Sequence, residues 1–160
     1  MSKIYIHYGS KEFDLIKFKP IKNTPLFAKP EGGLWGSPED AKYGWAEWCA
    51  AQEFRECRKD NSFKFSLKGD AKILYINSIR DLEPLPKAKN EPLQIHMWVC
   101  LDFEQLVRDG IDAIELDLSG EKRTETRREG LYYQLYGWDC DSLLVLNKDM
   151  IVAEDIQAQS

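Results

Sequence analysis

The sequence has no long apolar run and no secretory signal. In its 160 residues, no segment approaches the roughly 18 consecutive apolar residues that a membrane-spanning helix needs. Residues 1–7 lack the apolar stretch of a signal peptide. We therefore expect a cytoplasmic protein that does not associate with membranes.

The chain also lacks paired cysteines. Its four cysteines are scattered, contain no C-x-x-C pair, and match neither a zinc site nor a dense disulfide framework in their spacing: Cys49, Cys57, Cys100 and Cys140. Free thiols in a reducing compartment are the simplest interpretation. No metal site is expected.

The sequence also has fewer basic than acidic residues. The net charge of −5 gives no general attraction for nucleic acid or for an anionic membrane. This disfavours nucleic acid as a partner without excluding a local basic patch. With no internal repeat or low-complexity tract, the length predicts a single globular domain over residues 1–160.

Apolar and alternating segments predict more strands than helices. The predicted strands are residues 3–8, 13–18, 34–35, 62–67, 71–76, 111–118 and 142–147. Helices are predicted from residue 37 to about residue 58 and over residues 101–108. Because the strands do not alternate with helices, the pattern predicts an α+β fold with a mostly antiparallel sheet.

The clearest helix signal begins at Ser37. This residue is an N-cap candidate, Pro38 occupies the first helical position, and Asp40 supplies an acidic first-turn side chain. The residues that follow at helical spacing form one apolar face: Ala41, Trp45, Trp48 and Cys49. This face predicts that both tryptophans belong to the core.

Two segments near the N-terminus carry groups suited to a nucleotide. The first lies at the end of the first predicted strand and offers an imidazole, a hydroxyl and accessible backbone: His7, Tyr8, Gly9 and Ser10. The second, residues 32–37, combines glycines with the flat ring of Trp35 and with the N–H groups of a predicted helix start. Each segment alone also fits a structural role, as a packed histidine or a turn with a core tryptophan.

A third segment places two carboxylates before a buried strand. Asp139 and Asp141 precede the apolar residues 142–147. A carboxylate there can accept a hydrogen bond from a sugar hydroxyl and stabilise developing positive charge. The structural alternative is a pair of loop acids before a strand.

Together, in this order, the three segments resemble the H-Y-[E/D] pattern of ADP-ribosyltransferases related to poly-ADP-ribose polymerases and diphtheria toxin. The matching residues are His7 with Gly9 and Ser10, then Gly33-Leu34-Trp35, then the segment beginning at Ser37, and finally Asp141 before its apolar strand. The chain is also similar to small bacterial and phage proteins of this fold. The resemblance implies a split, mostly antiparallel sheet with a few helices around an NAD cleft.

The resemblance also implies roles for individual residues. His7 would orient NAD⁺ through the nicotinamide ribose, the backbone of Tyr8 or Gly9 would bond the amide, and Trp35 would stack on the nicotinamide. The implied NAD-binding set is His7, Tyr8, Gly9, Ser10, Gly33, Trp35, Ser37 and Tyr43. The implied catalytic set is His7, Trp35 and Asp141, with Asp139 as the alternative acid. The loop over residues 27–33 would lie over NAD⁺.

Two positions depart from the family pattern. Most members have Glu where this chain has Asp141, which is one methylene shorter, and Tyr where it has Trp35. If Asp139 and Asp141 form a pair of acids, their spacing on an extended segment places both on one face. In that case Asp139 would act as a base for the acceptor.

The resemblance favours transfer of ADP-ribose from NAD⁺ to a macromolecule, with a protein as the expected acceptor. The alternative is a non-catalytic module that binds a nucleotide or a protein on the same fold. RNA 2′-phosphate transfer is a third interpretation, and the acidic net charge weighs against it. The charged residues 121–129 are interpreted as a solvated loop that would contact an acceptor, and His96 as structural. By analogy, a small lone domain of this type suits a phage or bacterial effector.

Overall fold

The computed structural model describes residues 3–24, 28–53, 57–88, 100–118, 135, 138 and 140–153. Seven strands run through these residues: β1 (Tyr5–Tyr8), β2 (Leu34–Pro38), β3 (Ser62–Leu67), β4 (Ile73–Ile76), β5 (Ala113–Leu116), β6 (Ser142–Val145) and β7 (Ile151–Ala153). The helices are α1 (Trp45–Ala51) and α2 (Phe103–Arg108). Short 3-10 turns cover Leu15–Lys17, Lys59–Asn61, Ile79–Leu82 and Lys148–Met150.

The strands form one sheet in the order β4-β5-β6-β2-β1-β3-β7. Neighbouring strands are antiparallel except β4 and β5, which are parallel. The predicted α+β class and mostly antiparallel sheet are therefore confirmed. One β–α–β connection is present, because α2 lies between the parallel strands β4 and β5 in the chain, in the order in which the sequence predicts these three elements.

The contact between β1 and β2 is the narrowest in the sheet. It consists of two residue pairs, Tyr5 with Pro38 and Ile6 with Ser37, whereas β1 pairs with β3 along its whole length. The other half of β2 pairs with β6 instead. The last two residues of β1 and the first residues of β2 therefore diverge, and this divergence creates an opening in the sheet.

Side chains from successive strand residues pack into two separate clusters. Leu144 of β6 joins Ile114 of β5 and Phe103 of α2 in one cluster, while its neighbours Leu143 and Val145 join the other. Such alternation is the normal consequence of the strand's two-residue period. The two clusters show that β5 and β6 are buried on both sides of the sheet.

The prediction of a helix from Ser37 to about residue 58 is wrong in both its start and its length. Residues 34–38 form β2, because their backbone pairs with β6 and β1, and α1 begins only at Trp45. Gly44 is the N-cap, and its N–H donates to the Glu47 carboxylate at 3.0 Å. Ser37 still contributes to the helix start, since its Oγ accepts a hydrogen bond from the Trp45 N–H at 2.9 Å.

The remaining element predictions differ mainly at their ends. Residues 62–67 form the predicted strand without change, whereas the other confirmed strands and α2 differ from their predicted ranges by one to three residues at an end. The strand predicted over residues 13–18 is wrong, because Leu15–Lys17 is a 3-10 turn whose Ile16 N–H is held by the Asp14 carboxylate. Strand β7 was not predicted. None of the described helices is long and apolar enough to cross a bilayer.

Candidate functional site

A cavity of about 290 Å³ opens where β1 and β2 diverge. Its described lining consists of Ile6, His7, Tyr8, Lys29, Trp35, Gly36, Ser37, Trp45, Cys140 and Ser142. Four residues selected from the sequence, His7, Tyr8, Trp35 and Ser37, therefore meet at one place. They come from two strands that are separated by more than 20 residues of chain.

The imidazole of His7 bridges the opening between the two strands. Its Nδ1 lies 2.6 Å from the backbone oxygen of Trp35. Because a carbonyl oxygen only accepts hydrogen bonds, Nδ1 carries the proton in this contact. When the ring is neutral, Nε2 is then the acceptor atom. The ring also contacts Phe63, at 5.1 Å between centroids, and this contact limits its rotation.

Trp35 is positioned by the buried indole of Trp138. The two rings meet edge to face at 4.7 Å, and Trp138 is 1% exposed. The Trp138 Nε1–H donates to the backbone oxygen of Ala28 at 2.9 Å. One buried side chain thus fixes both the Trp35 ring and the loop that leads to Lys29.

Trp45 and Trp48 do not belong to the buried core that the sequence predicts for them. Both are partly exposed, and Cys49 is the buried member of the predicted apolar face. Their rings stack at 5.1 Å with an interplanar angle of 14°. Trp45 is the first residue of α1, which begins eight residues later than predicted. The hydrogen bond from its N–H to Ser37 holds it beside β2, where it lines the cavity.

Asp141 lies outside the described lining of this cavity. Its neighbours Cys140 and Ser142 line the cavity, and Asp141 borders a second, more polar cavity of about 200 Å³. The alternation of an extended chain explains the difference. The Asp141 carboxylate accepts a hydrogen bond from the Leu118 N–H at 2.8 Å, and its own N–H donates to the Tyr43 oxygen. Asp139, the alternative acid, lies outside the described residues.

The second cavity contains a buried polar cluster. Glu115, 6% exposed, accepts hydrogen bonds from the Tyr5 hydroxyl at 2.7 Å and from the Lys3 ammonium at 3.1 Å. Burial, with the Glu115 hydrogen bond and charge adding to it, raises the pKa of Tyr5 well above its ordinary value. Burial likewise raises the pKa of Tyr8 in the first cavity, so both phenols stay neutral at physiological pH.

The other predicted site residues make backbone or local contacts. The Gly9 N–H donates to the Asn61 oxygen, and the Ser10 hydroxyl donates to the Glu12 oxygen. Gly33 has a φ of 72°, and an added Cβ would lie 2.7 Å from the Val145 oxygen. Close packing of β2 on β6 therefore requires glycine there. The structure describes part of the predicted loop, from residue 28 onward, while His96 and residues 121–129 lie outside the described residues.

Sequence reasoning missed Lys29, Trp45, Cys140 and Ser142 as lining residues. The position of Lys29 depends on the tertiary contacts of its loop, and no local sequence pattern predicts those contacts. Cys140 and Ser142 follow from the two-residue period beside Asp141, once the side of the sheet is known. Within the described ranges, no three His, Cys, Asp or Glu side chains are grouped so that they hold a metal ion.

Comparisons with protein-family models, with curated proteins and with solved structures found no match to this chain. The candidate site therefore rests on its own geometry.

Proposed function

We propose that the cavity at the β1–β2 opening binds the nicotinamide riboside end of NAD⁺, and that the protein transfers ADP-ribose to a macromolecular acceptor, expected to be a protein side chain. The observation that carries the proposal is the meeting of His7, Tyr8, Trp35 and Ser37 around one cavity. These are four of the eight residues to which the family resemblance assigns NAD⁺ contacts.

The size of the cavity supports binding of one end of the dinucleotide. About 290 Å³ is at the lower limit of small-molecule pockets, which span roughly 300–1,000 Å³. The nicotinamide ring and its ribose fit this volume better than the whole of NAD⁺ does. The adenosine half then lies outside the described lining.

The chemistry of the lining also fits this end of the molecule. The face of Trp35 offers a stacking surface for a planar ring. Since Nδ1 of His7 donates to the Trp35 oxygen, Nε2 is suited to accept a hydrogen bond from a ribose hydroxyl. Tyr8 and Ser37 add hydroxyls, and the neutral phenol of Tyr8 donates as well as accepts.

In the proposed reaction, the bond between the ribose and the nicotinamide nitrogen breaks, and the electron pair leaves with nicotinamide. An acceptor nucleophile then bonds to the ribose carbon and loses its proton. Positive charge develops on the ribose, so a nearby carboxylate lowers the barrier. The family resemblance implies Asp141 for this role with Asp139 as the alternative, and the position of Asp141 at the second cavity weighs against it.

Nicotinamide release and transfer of labelled ADP-ribose test the proposal together. Purified protein is incubated with labelled NAD⁺ and a bacterial lysate, and products are resolved on a gel. We expect His7→Ala to lower both nicotinamide release and labelling at least about 100-fold, since it removes positioning of the substrate. His96→Ala is the matched control, because the chain contains only two histidines.

The variants Asp139→Asn and Asp141→Asn distinguish the roles of the two acids. Asp149→Asn, at an exposed position, is the control. Loss of transfer in only one of the two variants identifies the acid at the ribose. Full transfer in the His7→Ala variant, or in the combined Asp139→Asn and Asp141→Asn variant, contradicts the proposal.

A second candidate function is binding of a nucleotide without transfer. The observation that favours it is the position of Asp141, whose carboxylate accepts the Leu118 N–H and borders the second cavity. Such a module binds NAD⁺ by calorimetry and releases no nicotinamide. A binding isotherm with no release therefore selects this alternative.

A further inference from the structure

Lys29 places a cation against two indole rings inside the first cavity. Its Nζ lies 5.0 Å from the ring centroid of Trp35 and 5.9 Å from that of Trp45. Both distances are within the roughly 6 Å at which the face of an aromatic ring attracts a cation. The two tryptophans thus form an aromatic cation site, and the protein's own ammonium group is in it.

The backbone that carries Lys29 is held on both sides. The Ala28 oxygen accepts a hydrogen bond from the buried Trp138 indole, and the Lys29 oxygen accepts one from the Thr24 hydroxyl. Trp138 also packs edge-on against Trp35. The position of the Lys29 backbone and the position of one wall of the site are therefore set by the same buried residue.

The composition of the lining selects the kind of cation. No Asp or Glu is among the described residues that line the cavity, and the wall is aromatic with a few neutral polar groups. Strongly hydrated metal ions need several oxygen ligands to replace their water. A planar organic cation spreads its charge over a ring, loses less hydration on entering, and stacks on an indole face.

We propose that Trp35 and Trp45 form a binding site for a planar organic cation, and that Lys29 occupies this site until the ligand's cation displaces it. In this proposal Lys29 is an internal competitor. Its side chain, on a loop at the cavity, moves out when a ligand cation stacks on an indole face. Lys29 therefore sets how strongly the site discriminates between charged and neutral rings.

The cation site rests on the proposed function in one respect. If the protein binds NAD⁺ there, the physiological cation is the pyridinium ring of NAD⁺. The dihydronicotinamide ring of NADH carries no charge. We therefore expect the cavity to bind NAD⁺ more tightly than NADH.

Small probes test the cation site without any requirement for catalysis. The cation is N-methylated nicotinamide, the neutral comparison is nicotinamide, and binding to the full chain is measured by calorimetry. We expect the wild-type protein to bind the cation more tightly. Lys29→Met keeps the length of the side chain without its charge, and is expected to strengthen cation binding roughly 3- to 30-fold with little effect on nicotinamide.

Two further variants complete the design. Lys22→Met removes a charge from an exposed position of the same loop and is expected to leave both affinities unchanged. Trp45→Leu removes one ring and is expected to weaken cation binding more than nicotinamide binding. Equal thermal unfolding midpoints for Lys29→Met and wild type exclude a folding defect.

The results separate this inference from the proposed function. If Lys29→Met binds the cation no tighter than wild type, or if the two probes bind equally, the internal-competitor proposal is overturned. If NAD⁺ binds and Lys29→Met weakens it, Lys29 contacts the phosphates, and the proposed function stands without this inference. If the probes behave as expected but NAD⁺ does not bind, the cation site stands and the proposed function fails.

Discussion

At the scale of single residues, the buried contact between Tyr5 and Glu115 shows how the fold fixes a polar side chain. Tyr5 is 2% exposed, and its hydroxyl donates to Glu115, which Lys3 also contacts. A buried carboxylate that loses a donor keeps its desolvation penalty without the compensating hydrogen bond. The hydroxyl therefore adds to the stability that the packing of the buried ring provides.

We expect Tyr5→Phe to lower the free energy of unfolding by about 1–3 kcal/mol, because it leaves Glu115 without its buried donor. Chemical denaturation of the full chain measures the change. Tyr75→Phe is the matched control, since Tyr75 is 52% exposed, and it should change stability by less than about 0.5 kcal/mol. Similar effects of the two variants would contradict the assigned role of the Tyr5 hydroxyl.

At the residue scale, the family resemblance placed His7 and Trp35 in one NAD-binding set without indicating a contact between them. The hydrogen bond from Nδ1 to the Trp35 oxygen joins residues that are 28 positions apart. Local pattern carries no information about such a contact. It arises because the two strands diverge at this point and leave a backbone oxygen facing the imidazole.

At the scale of elements, prediction succeeded where a segment's own pattern agrees with its surroundings. Residues 62–67 alternate and form β3 with their predicted bounds. The apolar residues at 142–145 form β6, which is buried on both faces. These segments have one stable way to bury their side chains, so pattern and structure coincide.

Prediction failed where a local signal competed with pairing between strands. Ser37 and Pro38 resemble the start of a helix, yet their backbone pairs with β1. The helix begins only after the turn that ends at Gly44. The strand conformation is more stable here than the helix because residues 34–38 lie between two partner strands. No local sequence pattern indicates that position.

The packing of β2 against β6 leads to a prediction about Gly33. An alanine there would adopt a φ of 72° and place its Cβ 2.7 Å from the Val145 oxygen. We expect Gly33→Ala to destabilise the protein by more than about 1 kcal/mol, measured by chemical denaturation.

Gly69→Ala is the matched control for that experiment, since no atom lies within 4 Å of the Cβ it would introduce. It should be neutral or slightly stabilising, because alanine restricts the unfolded chain. Equal effects at the two glycines would show that β2 and β6 separate more easily than their packing suggests.

At the scale of the whole molecule, ionisation of buried phenols links stability to alkaline pH. The pKa of Tyr5 and that of Tyr8 are raised, first by burial, in the folded protein. Above about pH 10 the unfolded chain releases these protons while the folded protein keeps them. The unfolded state then binds fewer protons, so stability falls as pH rises, and the contribution is fully present below about pH 10.

We expect the free energy of unfolding to decrease steadily above about pH 10, and to decrease less steeply in the Tyr5→Phe variant. Denaturation at a series of pH values, with phenolate absorbance recorded in parallel, measures both quantities. An identical slope in the Tyr5→Phe variant would show that Tyr5 ionises equally readily in the two states.

The sequence by itself determined the α+β class, most of the strands and four of the residues that line the cavity. The class and the strands follow from side-chain type and from periods of two or 3.6 residues, which act over a few neighbours, whereas the four lining residues follow from the motifs and the family resemblance that they carry. The tertiary structure alone decided that Ser37 lies in a strand, that Asp141 borders the second cavity instead of the one that His7 lines, and that Lys29 lines the first cavity. Each of these depends on pairing or packing between segments far apart in the chain, where the free energy of burial exceeds local preference.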